Sequence, residues 1–238
     1  MIQGSYCHIF TRAIIDLSTP EHLLICDHLL STTRTVRKRL DLTCPIEPAI
    51  IEACLKIAIQ APTGSNQQGW HFVVASDADK RARIAELYRQ SCKAYRTSRS
   101  QPKNEPLDDD AHAKQMRRFL SSTHYLVDHL HEVPVLILAC VEGRVENRAP
   151  ADQAALYGSI LPAAWSLMMA LRARGHGAVW TNMHIRFEKE VAALLDLPGY
   201  ITQAVLFPVA YFIGKDFKPA QRKPIINNTH WNSWGNQR

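Results

Sequence analysis

The chain has 238 residues, of which 46% are hydrophobic and 21% charged, with a formal net charge of +6. That is the composition of an ordinary globular protein, with room for one large domain or two small ones and apolar material enough for a core. The longest apolar runs, Val133 to Val141 and Ala204 to Ile213, are too short for a membrane helix, which needs about 20 residues.

The N-terminal stretch MIQGSYCHIFTRAIIDL has no continuous apolar segment and carries Arg12 and Asp16, so a secretory signal is not expected and a cytoplasmic location is. The cysteines, Cys7, Cys26, Cys44, Cys54, Cys92 and Cys140, form no C-x-x-C pair. Cys54 and Cys140 lie in apolar segments, as small hydrophobes do, and neither a disulfide framework nor a zinc site is suggested.

Residues 1–28 carry no motif and are expected to be an extension, with a short helix over Pro20 to Leu30. The segment Ser31 to Leu40, STTRTVRKRL, alternates guanidinium groups with hydroxyls over one or two expected helical turns. Arg34, Thr35 and Arg37 offer two forked cationic donors and a hydroxyl, a set suited to a phosphate monoester, and no acidic residue nearby neutralises them. A basic, solvated helix face is the competing reading.

In the next helix Ile50, Ile51, Cys54, Leu55 and Ala58 form one apolar stripe, and Pro48 sits where a first turn tolerates it. Pro62 then closes the helix and Gly64 is expected to relieve the backbone. Thr63, Ser65, Asn66, Gln67 and Gln68 supply hydroxyls and amides with no ionisable group. Such a loop can hydrogen-bond a polar ligand but cannot exchange protons with it, and a plain solvated connection would look much the same. Trp70, Phe72, Val73 and Val74 read as a buried strand.

A helix starting at Ser76 or Asp77 places Ile84, Tyr88, Cys92 and Tyr95 on one apolar face. Residues 97–110 lose all periodicity, and Met116, Phe119, Leu120, Thr123, Leu126, Val127 and Leu130 mark a second long helix. A loop and helix inserted between core strands is the arrangement of a lid. Val133 to Val141 reads as a buried strand and Ser159 to Arg174 as a helix with Pro162 in its first turn, ended by Gly175. A short strand, AVWTN, finishes at Trp180, Thr181 and Asn182. A helix through Phe187, Val191, Leu194 and Leu195 stops at Pro198 and Gly199, and a last strand covers Gln203 to Ile213. Strands alternating with predominant helices predict a mixed sheet layered with helices, α/β or α+β.

Several chemistries are excluded. Ser65 lies on a helix-to-strand connection, the reverse of the strand-to-helix elbow of a hydrolase serine. His124, His129 and His131 have spacings that do not share a helical face, so no metal is expected, and there is neither a P-loop nor a G-x-G-x-x-G turn. A basic nucleic-acid-binding protein is the alternative raised by the net charge, but the cations are spread over several segments with no recognition module. What remains is a neutral hydrogen-bonding loop and two basic clusters, Arg34 with Arg37 and Lys218 with Arg222. These are the groups expected to hold a phosphorylated aromatic cofactor that brings its own reactivity.

RTVRKRL, APTGSNQQGWHFVV, GHGAVWTNMH and FPVAYFIGKDFKPAQRKP with HWNSW, in that order, resemble the FMN-dependent nitroreductase family over about Leu29 to Trp234. The second resembles the family's P-S-S-x-N-x-Q-P-W pattern, with Thr63 and Gly64 for the two serines and Gly69 for the second proline. The resemblance implies an α+β nitroreductase-like fold over residues 29–238, with a central mixed sheet flanked by helices, and an intertwined homodimer holding FMN at the subunit interface. It implies that Arg34, Thr35 and Arg37 bind the phosphate and ribityl chain, completed by Arg222 and Lys218. Pro62, Thr63, Gly64, Ser65, Asn66 and Gln68 would come from the other subunit. Trp180, Thr181 and Asn182 would lie along the isoalloxazine, with backbone donors near its N5 edge. Asn182 or Thr181 stands where many members have an acidic residue, and Ala220 where they have a lysine. The implied reaction takes hydride from NAD(P)H and delivers electrons to a small electron-poor acceptor, a quinone or nitroaromatic, with no catalytic side chain. Dehalogenation, flavin breakdown and dehydrogenation belong to the same superfamily.

Overall fold

In a computed structural model of the chain, residues 15–98 and 110–237 are described. They divide into two units: Thr33–Phe217, and a second formed by the residues up to Thr32 with those from Lys218 onward.

The larger unit is built on an antiparallel sheet. Its strands are β1 (Leu40–Asp41), β2 (Trp70–Ala75), β3 (Val135–Glu142), β4 (His176–Ala178) and β5 (Ile201–Phe212), in the order β1-β5-β3-β2 with β4 also paired to β5. Among the described residues every ladder is antiparallel, and the one parallel element is an isolated bridge from Thr35 to Ala178. Along β3 the side chains alternate as the pleat demands. Leu136, Leu138 and Cys140 join the core under α3 (Ala78–Ser98), α4 (Asp110–His129) and α6 (Glu188–Leu194). Val135, Ile137, Ala139 and Val141 join the core under α2 (Pro48–Ala58) and α5 (Pro150–Ala173). Because helices cover both faces, β3 from Val135 to Val141 and β5 from Ala204 onward read as unbroken apolar runs rather than alternating ones.

Several expectations are corrected. β2 forms as expected but is a half-buried edge strand, paired among the described residues with β3 alone, and its Val74 is exposed. The Ser31 to Leu40 segment is not helical beyond Thr32. Thr33, Thr35 and Val36 are β-branched and favour extended backbone, and the Val36 N–H donates to the Ala178 carbonyl at 3.0 Å. α5 starts at Pro150, so Pro162 lies inside the helix and not in its first turn, removing one helical donor there. By length and composition α5 could cross a bilayer. Its Ile160, Ala164, Leu167, Met168 and Leu171 are instead buried among the residues of the sheet.

α3 is capped by Asp77, whose carboxylate accepts the Lys80 N–H at 2.9 Å, and it runs to Ser98. Most of the expected loop over 97–110 lies outside the described residues. On α4 only the C-terminal part of the expected stripe is buried, Leu126 and Val127 with Leu130 beyond, while Met116, Phe119 and Leu120 are exposed.

In the smaller unit, α1 (Pro20–Thr32) is the expected helix, with Leu23, Leu24, Ile25 and Leu30 exposed. In the C-terminal segment His230 stacks on Trp234 at 4.3 Å, and the Trp231 N–H donates to the Asn236 carbonyl at 2.7 Å.

Candidate functional site

The site in the larger unit gathers at the edge of the sheet beyond β4. Val209 pairs with Val135 on one side and with Ala178 on the other, so β4 flanks β5 opposite β3. The chain runs on from β4 through Trp180 to Thr181, whose N–H and carbonyl both bond to Leu206, at 3.2 and 2.8 Å. Thr35 is drawn alongside by its bridge to Ala178, and the Trp180 N–H donates to its hydroxyl at 3.4 Å. Trp180 stands edge-on to the buried Phe207, ring centroids 5.4 Å apart, which fixes its ring. Thr35, Trp180 and Thr181, drawn from two segments far apart in sequence, are thus neighbours.

Arg37 joins the same edge from Val36. Its guanidinium lies 5.3 Å over the Phe119 ring of α4 and donates to the Ser122 hydroxyl at 3.4 Å, while Lys38 donates to Ser121 at 2.7 Å. The group is half-buried, and burial holds its pKa below the ordinary value. No carboxylate pairs with it among the described residues. A partly desolvated cation without a counter-charge is a ready partner for an anion. Arg34 is exposed. Arg39, from the same basic run, ties chain segments together, donating to the carbonyls of Ile213 and Asp216 and lying 4.1 Å over the Phe217 ring.

Asn182 is exposed between Thr181 and Met183, at φ −128° and ψ 15°, and its main-chain N–H donates to no acceptor among the described residues. Both neighbours are held by α3. The Tyr88 phenol meets the Thr181 hydroxyl at 3.1 Å, and the Ser91 hydroxyl donates to the Met183 carbonyl at 2.5 Å. Sequence reasoning places Tyr88 only as a core position and passes over Ser91. A buried tyrosine on an apolar stripe, with a hydroxyl that must find a partner, is the available signal.

The polar loop is ordered by its own bonds. Gly64 donates to the Ser159 hydroxyl at 3.0 Å, Gln68 donates through its N–H to the Thr63 hydroxyl at 3.1 Å, and the Gln68 amide donates to Asn66 at 3.1 Å. Ser65, Asn66 and Gln68 have φ of 51°, 53° and 52°, while Gly64 is not left-handed, so the strain falls on side-chain-bearing residues and not on the glycine. Such strain persists where the surrounding structure imposes it, commonly at ligand-binding positions. Pro62 is exposed at the loop's start. Beside the loop a cavity of about 750 Å³ runs between Gly143, Arg148, Ser159 and Tyr200.

Loop and edge cluster do not adjoin. Trp70, where the loop ends, pairs with Val141, and Val141 with Thr202, while Thr181 bridges Leu206. The two places are four residues apart along β5 (202 to 206) and three strand spacings apart across the sheet, roughly 20 Å. Lys218 and Arg222 are exposed residues of the smaller unit.

The model of the Nitroreductase family matches residues 30–211. Iodotyrosine deiodinase of Thermotoga neapolitana is 28% identical over 184 residues, covering 77% of this chain and 86% of that protein. The crystal structure of oxidized iodotyrosine deiodinase bound to FMN and 3-iodo-L-tyrosine superposes with a TM-score of 0.64 at 22% identity, over 85% of this chain and 96% of that one. The FMN-dependent nitroreductase NfnB from Mycobacterium smegmatis, solved with NADPH, gives a TM-score of 0.64 at 19% identity, over 89% and 99% of the two chains.

Proposed function

Since the chain belongs to the nitroreductase family and has its α+β fold, we propose that it is an FMN-dependent oxidoreductase. It passes hydride from NAD(P)H to a small electron-poor acceptor of the quinone or nitroaromatic class. The observation that carries this reading is the half-buried Arg37, unpaired with any described carboxylate, two residues along from Thr35, whose hydroxyl receives the Trp180 N–H, with the Asn182 N–H close by in sequence and without an acceptor among the described residues. A forked cation, a hydroxyl and a main-chain donor on one edge match the needs of a phosphorylated ribityl chain attached to a ring that gains negative charge on reduction.

FMN, when bound, supplies hydride acceptance and electron delivery. The chain's residues bind and orient it. Arg34, Thr35 and Arg37 hold the phosphate and ribityl end. Trp180, Thr181 and Asn182 flank the ring, and the Asn182 N–H offers a donor where charge develops. No side chain need act as nucleophile or general acid.

The active species is a homodimer, and residues 29–238 form its FMN-binding domain. A separation of roughly 20 Å between the loop and the Thr181 cluster exceeds one flavin ring system. That separation supports the reading in which Pro62, Thr63, Gly64, Ser65, Asn66 and Gln68 serve the partner's cofactor. On α5 the half-exposed Tyr157, Leu161 and Trp165 recur every four residues, an apolar seam suited to a second copy. Nothing in the arrangement calls for nucleic acid or a membrane, and the chain is expected to work in the cytoplasm.

The test is the visible spectrum of the purified protein, followed by NAD(P)H oxidation with menadione or nitrofurazone. A yellow protein with acceptor-dependent turnover supports the reading, and a colourless one that takes up no added FMN overturns it. A second reading, reductive dehalogenation, is favoured by the similarity to the Thermotoga neapolitana deiodinase. Iodide release from 3-iodotyrosine with dithionite, and no turnover with NAD(P)H and quinone, would select it.

A further inference from the structure

Tyr88 and Ser91 lie three residues apart on α3, hence on one helical face, and both are almost wholly buried, at 2% and 0% exposure. Filling the core does not of itself call for a hydroxyl at either position. Their hydroxyls instead reach the residues before and after Asn182, at 3.1 Å to the Thr181 hydroxyl and 2.5 Å to the Met183 carbonyl. The Thr181 hydroxyl also receives the Met183 N–H at 3.4 Å, so the Tyr88 contact and the link to Met183 share one atom. Asn182, exposed and with its N–H unused among the described residues, lies between the two residues that α3 holds.

We propose that Tyr88 and Ser91 are positioning residues that fix Thr181 and Met183 so that the main-chain N–H of Asn182 is aimed at the flavin. This rests on the FMN reading above. Neither side chain touches the cofactor; they act through the segment they hold. Burial pushes the Tyr88 phenol up to about 12, so it keeps its proton and remains a hydrogen-bonding partner at all ordinary pH. A donor held rigid strengthens its bond most when the acceptor becomes negative, so the clamps favour reduced over oxidised flavin.

The experiment compares the FMN-loaded wild type with Tyr88→Phe, Ser91→Ala, Thr181→Val and Thr181→Ser. Affinities for oxidised and reduced FMN, midpoint potential, visible absorption maxima and melting temperature are measured on each. Misaiming one donor should change the ratio of the two FMN affinities about tenfold, ~30 mV for a two-electron couple. Tyr88→Phe, Ser91→Ala and Thr181→Val should all lower the potential and shift the absorption maxima, and Thr181→Ser, which keeps the hydroxyl, should lie closer to the wild type in both than Thr181→Val does. A purely structural role would lower stability and weaken both redox forms alike, leaving the potential unmoved, and that result overturns the proposal while the FMN reading stands. A wild type that binds no FMN overturns both.

Discussion

The Gly64 N–H donates to Ser159 Oγ at 3.0 Å, and Ser159 in turn donates to the Ala155 carbonyl at 2.8 Å, so α5 holds the polar loop through one hydroxyl. Ser159→Ala should cost about 1 kcal/mol of stability. It should also release the left-handed Ser65 and Asn66, seen as faster amide exchange confined to residues 64–68. Because a Cβ on Gly64 would meet Ser159 Oγ at an ordinary 3.6 Å, Gly64→Ala should be nearly neutral by comparison. Equal losses in the two variants would show that the hydroxyl is not what holds the loop.

Arg37 gives a pair of effects with opposite signs. Replacing it by Met removes a half-buried cation that has no described carboxylate partner, so the apo protein should melt at the same temperature or slightly higher. FMN affinity should fall about 10- to 100-fold, the worth of one or two charged hydrogen bonds. Fluorescence titration with FMN alongside thermal melts separates the two. A parallel loss of stability and affinity would mark Arg37 as structural.

Gly177 lies where β4 meets the Thr35 to Leu40 segment. A Cβ there would stand 3.0 Å from both Val36 Cβ and Leu40 Cδ2, tighter than most packed Cβ contacts, so that Val36 and Leu40 would have to give way. Gly177→Ala should cost about 1–3 kcal/mol, measured by urea unfolding. Since Val36 carries Thr35 and Arg37 on either side, FMN affinity should drop with it.

His184 is fully buried with neither ring nitrogen hydrogen-bonded among the described residues, and burial pushes its pKa down to about 4. Its unfolded pKa is near 6.5, so between those values the unfolded chain binds the proton that the folded chain refuses. Stability from this group is full above about pH 6.5 and is lost as pH falls toward 4, on the order of 3 kcal/mol across the window. His184→Leu should flatten that part of the stability profile. An unchanged slope would assign the acid sensitivity elsewhere, with the buried His176, also shifted down by burial, the next group to replace.

Much of the fold is legible in the chain. Apolar period marks out α2, α3 and the long runs of β3 and β5, because a helix or strand packed on one or both faces must show it in its side chains. The Ser31 to Leu40 segment reads as helical because arginines and lysines suit helices, whereas the deciding feature is the β-branched Thr33, Thr35 and Val36 meeting the chain at Ala178. The pattern puts the start of α5 nine residues late, at Ser159 instead of Pro150, since Ala and Gln in its first turns carry little periodic signal.

Taken alone, the order of residues establishes which of them form most elements, where the neutral loop falls, and which cations lack acidic neighbours along the chain. Folding was needed to bring Thr35 beside Trp180, to set Arg37 against Phe119, and to join Tyr88 to Thr181 from 93 positions away. Periodicity reports which side of an element avoids water. Strand register and helix docking set what that side meets, and no short stretch of chain encodes either alone.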